Sequence, residues 1–470
     1  MKGKRYIAVL ICVTIISSII GYELGLSSVP TSRLYYLDVP FGTVSYYVGK
    51  FDNGSTYMVK GDTWQCTWQS TDSSAVINAC IGNLTSGGAI SVKRNMYTIT
   101  GTAISITQGQ NHISIIAEPG TVFESSLLPC FQINGGAVDT DNVLRGISLE
   151  NIHFNYTGSV TSGHFVYIGG IQSDKWYQGG SFFKNIIISS SETTTPTDTT
   201  FIGLQTDMLI GVTFEYINIK YFGVGWHLTY RAGQGSHTLI NQAHISRCKR
   251  GIVNEAHETC QVWNLLKVMH TTEYGFLAPT SGYPYEIIFN SPQFESLTGT
   301  AGLDVNSNEL IIRNGMFSYV AGIGIKFHDP AHGADKHAMI LNTGFHNVPT
   351  AIRTASPMFV FGNTYPTGVT TKIYLDGANA KLYGYDDYFK FESSGTTSLA
   401  NNGYFPHGLA GTPTTVGLTC MNATYDGVPV IVNCNYANTN STHVQVSLYW
   451  SNSTAITTTL LISYDVKYQP

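Results

Sequence analysis

Bases and carboxylates recur at nearly equal intervals through the middle of this chain. One position after the apolar residues Ile219, Ile245, Met269, Phe294, Phe317 and Phe345 stand Lys220, Ser246, His270, Glu295, Ser318 and His346. If each interval is one coil of a solenoid, equal positions in adjacent coils lie about 4.8 Å apart. His270 and Glu295 then become neighbours, a pair suited to general acid and base work. A second series, one position after a later apolar residue, gives His227, Val253, Leu277, Asp304, Lys326 and Arg353. Asp304, Lys326 and Arg353 would form an outward stripe in which one carboxylate and two cations suit an anionic sugar. A basic side chain there can serve as the base of a polysaccharide lyase. A glycosidase instead needs two carboxylates, about 5–5.5 Å apart for retention or 6.5–9.5 Å for inversion. For either series the plain alternative is a surface ladder of ordinary hydrogen bonds and ion pairs.

Short strands at close spacing must position these residues. The apolar anchors are 23 to 28 residues apart, and each is followed by a polar gap, a small residue and another apolar residue. A period near 25 with two or three strands per unit predicts a β-solenoid, because one coil cannot bury its own apolar face but stacked coils can. Ile219, Ile245, Met269, Phe294, Phe317 and Phe345 are expected to stack inward in one column, with the small residue letting the chain turn between faces. The composition agrees: 48 Gly, 29 Tyr and only 12% charged residues suit strands and turns rather than long helices. A single short helix is expected near Asp72–Ile81, with Thr71 or Asp72 as its N-cap. The texture changes near residue 400. Ser393–Ser398 reads as a linker or turn, and 404–470 as a separate β-rich module.

Exposed rings can stack on sugars, and Trp176, Tyr177, Trp226 and Tyr283-Pro284-Tyr285 fall near turns; burial in the coil core is the alternative. His328, Asp329, His332, Asp335 and His337 resemble a ligand set, but their spacing matches no zinc motif, and no metal site is expected. Asp139-Thr140-Asp141 could offer carboxylates to Ca2+, the one cofactor to consider, although a turn explains it equally. With net charge −5 and no internal basic run, a nucleic-acid partner is not expected.

Lys2, Lys4 and Arg5 precede an apolar run to about Gly21, so residues 1–21 read as a signal peptide or membrane anchor, and 22–60 as a lead-in. The remainder is expected outside the cell or on its surface, secreted or membrane-anchored. Sequons at Asn53, Asn83, Asn155, Asn422, Asn440 and Asn452 agree with export. Cys420 and Cys434 flank an expected hairpin and could form a disulfide; Cys66 with Cys80 and Cys248 with Cys260 are weaker pairs.

The stretch from Asp72 to Leu84, then Gly87-Gly88-Ala89-Ile90-Ser91-Val92 and Tyr97-Thr98-Ile99, resembles the start of β-helices of the pectate-lyase-like (pectin-lyase-fold) superfamily. Met96 stands where a Gly often precedes the Tyr. The resemblance implies an all-β chain, a right-handed parallel β-helix over 61–395 with an N-terminal capping helix. The stretch Phe405-Pro406-His407-Gly408-Leu409 to Val416 is similar to terminal modules that follow β-helices in tailspike-like proteins. That likeness implies a small sandwich-like domain used for trimerisation or receptor contact. The polygalacturonase strings (Asn-Thr-Asp, Gly-His-Gly, Arg-Ile-Lys) are absent, and Asp386-Asp387 alone matches, in the wrong place. The pectate-lyase strings are absent too. The expected function is therefore a surface protein that binds carbohydrate or serves as an attachment spike. The alternative is a polysaccharide lyase or glycoside hydrolase acting on an acidic polysaccharide.

Overall fold

The structure is a computed structural model. It describes residues 44–61, 66–136, 143–172, 180–229, 238–256, 260–279, 285–328, 337–376, 380, 382–385, 392–399, 402–406, 415–420, 424–425, 428–435, 437–439, 443–450 and 460–467. Residues 1–21, Trp176, Tyr177, Asp139–Asp141 and Asp386-Asp387 lie outside that set, as do Asn422, Asn440 and Asn452.

The chain is a right-handed parallel β-helix. Each coil passes through a 19-stranded sheet and then an 11-stranded sheet, and nearly all pairings in both are parallel. In the central coils the passage through the longer sheet has two arms, as in Val212–Lys220, where Tyr216 bends the strand with φ 59°. The entry is antiparallel. Tyr46–Lys50, Thr56–Lys60 and Cys66–Ser70 form a meander whose first strand also pairs in parallel with Gly88–Val92. The helix Ser73–Asn83 covers this end. Asp72 is its N-cap, its carboxylate accepting from the Ser74 amide at 3.2 Å and from the Thr100 amide at 3.1 Å. The helix buries Val76, Ile77, Cys80 and Ile81 against the first coils. It thereby shields apolar surface that the open end of a solenoid would leave in water.

One inward column runs almost the whole length. In register it reads Tyr97, Phe123, Phe154, Ile188, Ile219, Ile245, Val268, Phe294, Phe317 and Phe345. Tyr365 continues it, its ring stacked on Phe345 at 5.5 Å. All but Tyr365 have no exposed surface. Met269 is not a member. Leu266 and Val268 point inward, and Lys267 and Met269 point out, because a one-residue change of register reverses every side chain of a strand. The alternation Ala-His-Ile at 243–245 repeats as Leu-Lys-Val at 266–268, and that pattern identifies the true column member.

The small residue of each repeat does a different job from the one expected. Gly203, Gly225, Gly251, Gly275, Gly302 and Gly324 do not have left-handed backbones. They lie opposite the inward column, where a Cβ would strike both the column side chain and the carbonyl of the next coil's small residue. The corners are turned instead by Tyr221, Arg247, His270, Ser296, Tyr319 and Asn347, all with positive φ between 52° and 66°.

Beyond Thr371–Leu375 and Leu382–Tyr385, the last parallel strands, pairing becomes antiparallel. Leu460–Lys467 lies between Glu392–Leu399 and Thr415–Cys420, and a second sheet contains Gly403–Pro406, Val428–Cys434 and His443–Trp450. Ser393–Ser398, expected as linker, is thus part of a strand of the terminal module. The expected Cys420–Cys434 disulfide is not formed. The two residues lie in different sheets rather than across one hairpin, and Cys434 is a free thiol 3.5 Å from the Thr439 hydroxyl. Cys80, Cys130 and Cys248 are buried free thiols, pushed up to about 12 by burial, so they serve as small apolar filler.

Candidate functional site

The outward face of the 11-stranded sheet carries the second series of the sequence in one line. His227 pairs with Val253, Val253 with Leu277, Leu277 with Asp304, Asp304 with Lys326, and Lys326 with Arg353. Each sits one residue past an inward apolar residue, the column Trp226, Ile252, Phe276, Leu303, Ile325 and Ile352. Strand alternation therefore turns all of them outward. The line extends beyond the expected stripe at both ends, to Tyr374 after Arg353 and to Gln205 and Tyr167 before His227. Tyr374 could have been found from the sequence, since Thr-Lys-Ile-Tyr at 371–374 repeats the phase of Thr-Ala-Ile-Arg at 350–353.

Asp304 is the best-enclosed charge, only 3% exposed. Lys326 Nζ donates to its Oδ2 at 3.1 Å, and His328 Nε2 bonds its other oxygen. Burial pushes the Asp304 carboxyl up, but the hydrogen bonds and charges of His328 and Lys326 together outweigh it and hold the group below the usual carboxylate range. Asp304 is therefore a fixed anion that orients Lys326 and His328, not a proton donor. Arg353 donates to Asp376 through Nε at 2.9 Å and through a terminal nitrogen at 2.6 Å. Its guanidinium lies 5.3 Å from the centroid of the Tyr374 ring, which is 50% exposed. This end of the face offers an exposed ring, with a guanidinium and an ammonium each held by a carboxylate. It suits stacking on a sugar and pairing with an acidic group.

The first series is partly dispersed. Glu295 faces Met269 and Ser318 across the ladder, not His270. His270 is one residue further on, at a corner with φ 53°, and its link to Glu295 is a backbone bond of 3.1 Å. The Glu295 carboxylate lies 3.7 Å from Lys267. No acid–base pair forms between His270 and Glu295. Trp226, expected as a sugar platform, is fully buried between Phe214 and Trp263 and donates to the Thr206 hydroxyl at 2.9 Å. Tyr285 is exposed. Of the ligand-like cluster only His328 and His337 are described, and they bond to different carboxylates, Asp304 and Glu309. Among the sequons, Asn53 and Asn83 are exposed, whereas Asn155 accepts from the Ser189 hydroxyl at 2.9 Å on a strand face.

By fold this is a right-handed parallel β-helix protein. No family model matches the chain, and no curated protein matches it. Among solved structures, it is similar to ORF18 of Geobacillus virus E2, with 13% identity over 86% of this chain and 85% of that one, TM-score 0.49. It is also similar to the tailspike gp61 of Pseudomonas phage phi297, with 10% identity over 84% and 92%, TM-score 0.43. A third is the gp54 tailspike of Acinetobacter baumannii bacteriophage AP22, solved with A. baumannii capsular saccharide: 10% identity over 85% and 94%, TM-score 0.33.

Proposed function

We propose that this chain is an extracytoplasmic β-helix spike that binds an acidic polysaccharide on the outward face of its 11-stranded sheet. The observation that carries this reading is the register of Asp304, Lys326, Arg353 and Tyr374, which gathers two cations and an exposed ring on successive coils. Stacking and charge pairing at one place are what an acidic sugar offers to satisfy. Arg353→Ala and Tyr374→Ala should each weaken binding of a recognised acidic polysaccharide by roughly tenfold, the equivalent of about 1.4 kcal/mol. Affinity electrophoresis of both variants against the parent chain measures this. Unchanged mobility shifts in both would remove the site from this face.

The same reading includes export by way of residues 1–21 and assembly as a homotrimer. Supporting assembly, the first arm of the longer sheet carries an outward apolar row of Leu239, Val262, Ile288, Ile311, Met339, Phe359 and Tyr383 in register. Phe359 and Tyr383 are 40% and 51% exposed. An apolar row of that length on one chain is characteristic of a surface that another protein covers. Sedimentation velocity of residues 30–470 should give a trimer that dissociates when Phe359 and Met339 become Lys. A parent chain that sediments as a monomer contradicts the assembly.

A further inference from the structure

A different face, the second arm of the longer sheet, carries cations of its own. Lys220 and Ser246 are partners in register on adjacent coils, and Arg247 is the corner residue that follows Ser246. Lys220 and Ser246 alternate with the inward Ile219 and Ile245, so both point outward. Arg247 is exposed, and its guanidinium lies 5.4 Å from the centroid of the Tyr221 ring on the preceding coil. That ring holds the guanidinium by its face and consumes none of its N–H donors. Among the described residues neither Lys220 nor Arg247 makes an ion pair, and the Ser246 hydroxyl makes no hydrogen bond. The cations around them are satisfied. Lys249 donates to the Thr197 carbonyl at 3.0 Å, Arg250 to Glu273 at 2.9 Å, and Lys267 lies 3.7 Å from Glu295.

Register accounts for the missing partners. Along the row of Lys220 and Ser246 the nearest carboxylates are Glu124, three coils before Lys220, and Glu295, two coils after Ser246. These are about 14 and 10 Å away along the axis. The parallel row through Asn218 and His244 has no carboxylate from Val122 to Gln293. The next corner residue after Arg247 is His270, again not an acid. Glu192 and Asp198, between the preceding arm and its 11-stranded-sheet strand, pair with neither cation; the Asp198 carboxylate accepts from the Thr200 amide at 2.8 Å. In a chain of net charge −5, two unpaired cations on an acid-free patch are a local arrangement rather than a general excess of base.

We propose that Lys220, Ser246 and Arg247 form a binding site for a phosphate group. An ammonium, a hydroxyl and a guanidinium start from neighbouring positions on two coils, with no acceptor among them. A tetrahedral oxyanion presents three oxygens to such a set. The guanidinium fork takes two, and the ammonium and hydroxyl share the third. A carboxylate has only two oxygens, and the fork alone would fill it. The site does not depend on the charged stripe, whose cations lie on the other sheet and are already held by Asp304 and Asp376.

The test titrates the full chain at low ionic strength with inorganic phosphate and with glycerol phosphate, reading the phosphorus NMR linewidth, and then adds acetate as competitor. Both phosphates should broaden on binding, and acetate should not displace them. Lys220→Gln and Arg247→Gln should each weaken binding about tenfold, and Ser246→Ala less. Lys249→Gln removes the same charge from the same corner, and Arg353→Ala alters the stripe; each should leave binding within about twofold of the parent chain, as expected of a charge outside the contact and screened by salt. Tighter binding of glycerol phosphate assigns an esterified phosphate, and tighter binding of inorganic phosphate assigns the free ion. No broadening by the parent chain, displacement by acetate, or a loss in Lys249→Gln equal to that in Lys220→Gln overturns the site and leaves the stripe untouched. A loss confined to Arg353→Ala overturns it too, by moving the phosphate to the stripe.

Discussion

Phe317→Ala should lower the unfolding free energy by about 3–5 kcal/mol, the cost of removing a fully buried Phe. Phe317 has no exposed surface and is enclosed on both sides, its ring stacked on Phe294 at 5.0 Å and on Phe345 at 5.2 Å. The neighbours cannot close the gap, because each ring is fixed by its own coil and the coils by their parallel ladders. A cavity therefore persists, and its volume adds to the lost transfer energy. Urea denaturation monitored by tryptophan fluorescence measures the change. A loss below about 1 kcal/mol would show that the column does not carry the fold.

Gly275→Val is expected to be the next most damaging change and acts in the opposite sense, by excess volume. A Cβ at Gly275 would lie 2.6 Å from the Gly302 carbonyl oxygen and 2.6 Å from Cδ1 of Phe294. The first obstacle is backbone of the neighbouring coil and the second is a stacked ring, so neither can withdraw cheaply. Overpacking of this kind costs about 1–3 kcal/mol, and a β-branched residue belongs at the upper end. Gly302→Val meets the same two kinds of atom at 2.8 and 3.0 Å and should be milder. Thermal melts of the two variants give the order. If Gly302→Val is the worse, contact with the inward column is not what requires small residues there.

These two variants also mark what could be read from the residues alone. The period, the inward apolar column and the outward line from His227 to Arg353 follow from alternation and equal spacing, both properties of local sequence. The error at Met269 arose where Val268 and Met269 are both apolar, so hydrophobicity alone does not set the phase; the polar residue between Leu266 and Val268 does. Trp226 could not be placed by its type, because a ring at a turn and a ring in a column look alike until register is known. Register also separates His270 from Glu295, since the corner residue adds one step. The helix and its Asp72 cap were legible because capping chemistry is local. The Cys420–Cys434 expectation failed because the terminal module pairs antiparallel across long intervals, and nothing in 415–434 indicates that the strand 460–467 comes to lie beside Thr415–Cys420.

The pairing order of the terminal module bears on when it can form during synthesis. Coils of the β-helix find their partners a few tens of residues away, so each can stack as it leaves the ribosome. The three-stranded sheet is different, because its middle strand, Leu460–Lys467, is the latest of its three in chain order. Until that segment has been made, Glu392–Leu399 and Thr415–Cys420 have no shared partner. A translating chain thus carries a completed solenoid and an unfinished terminal module for the time needed to make some eighty further residues, about 4–16 seconds at about 5–20 residues per second.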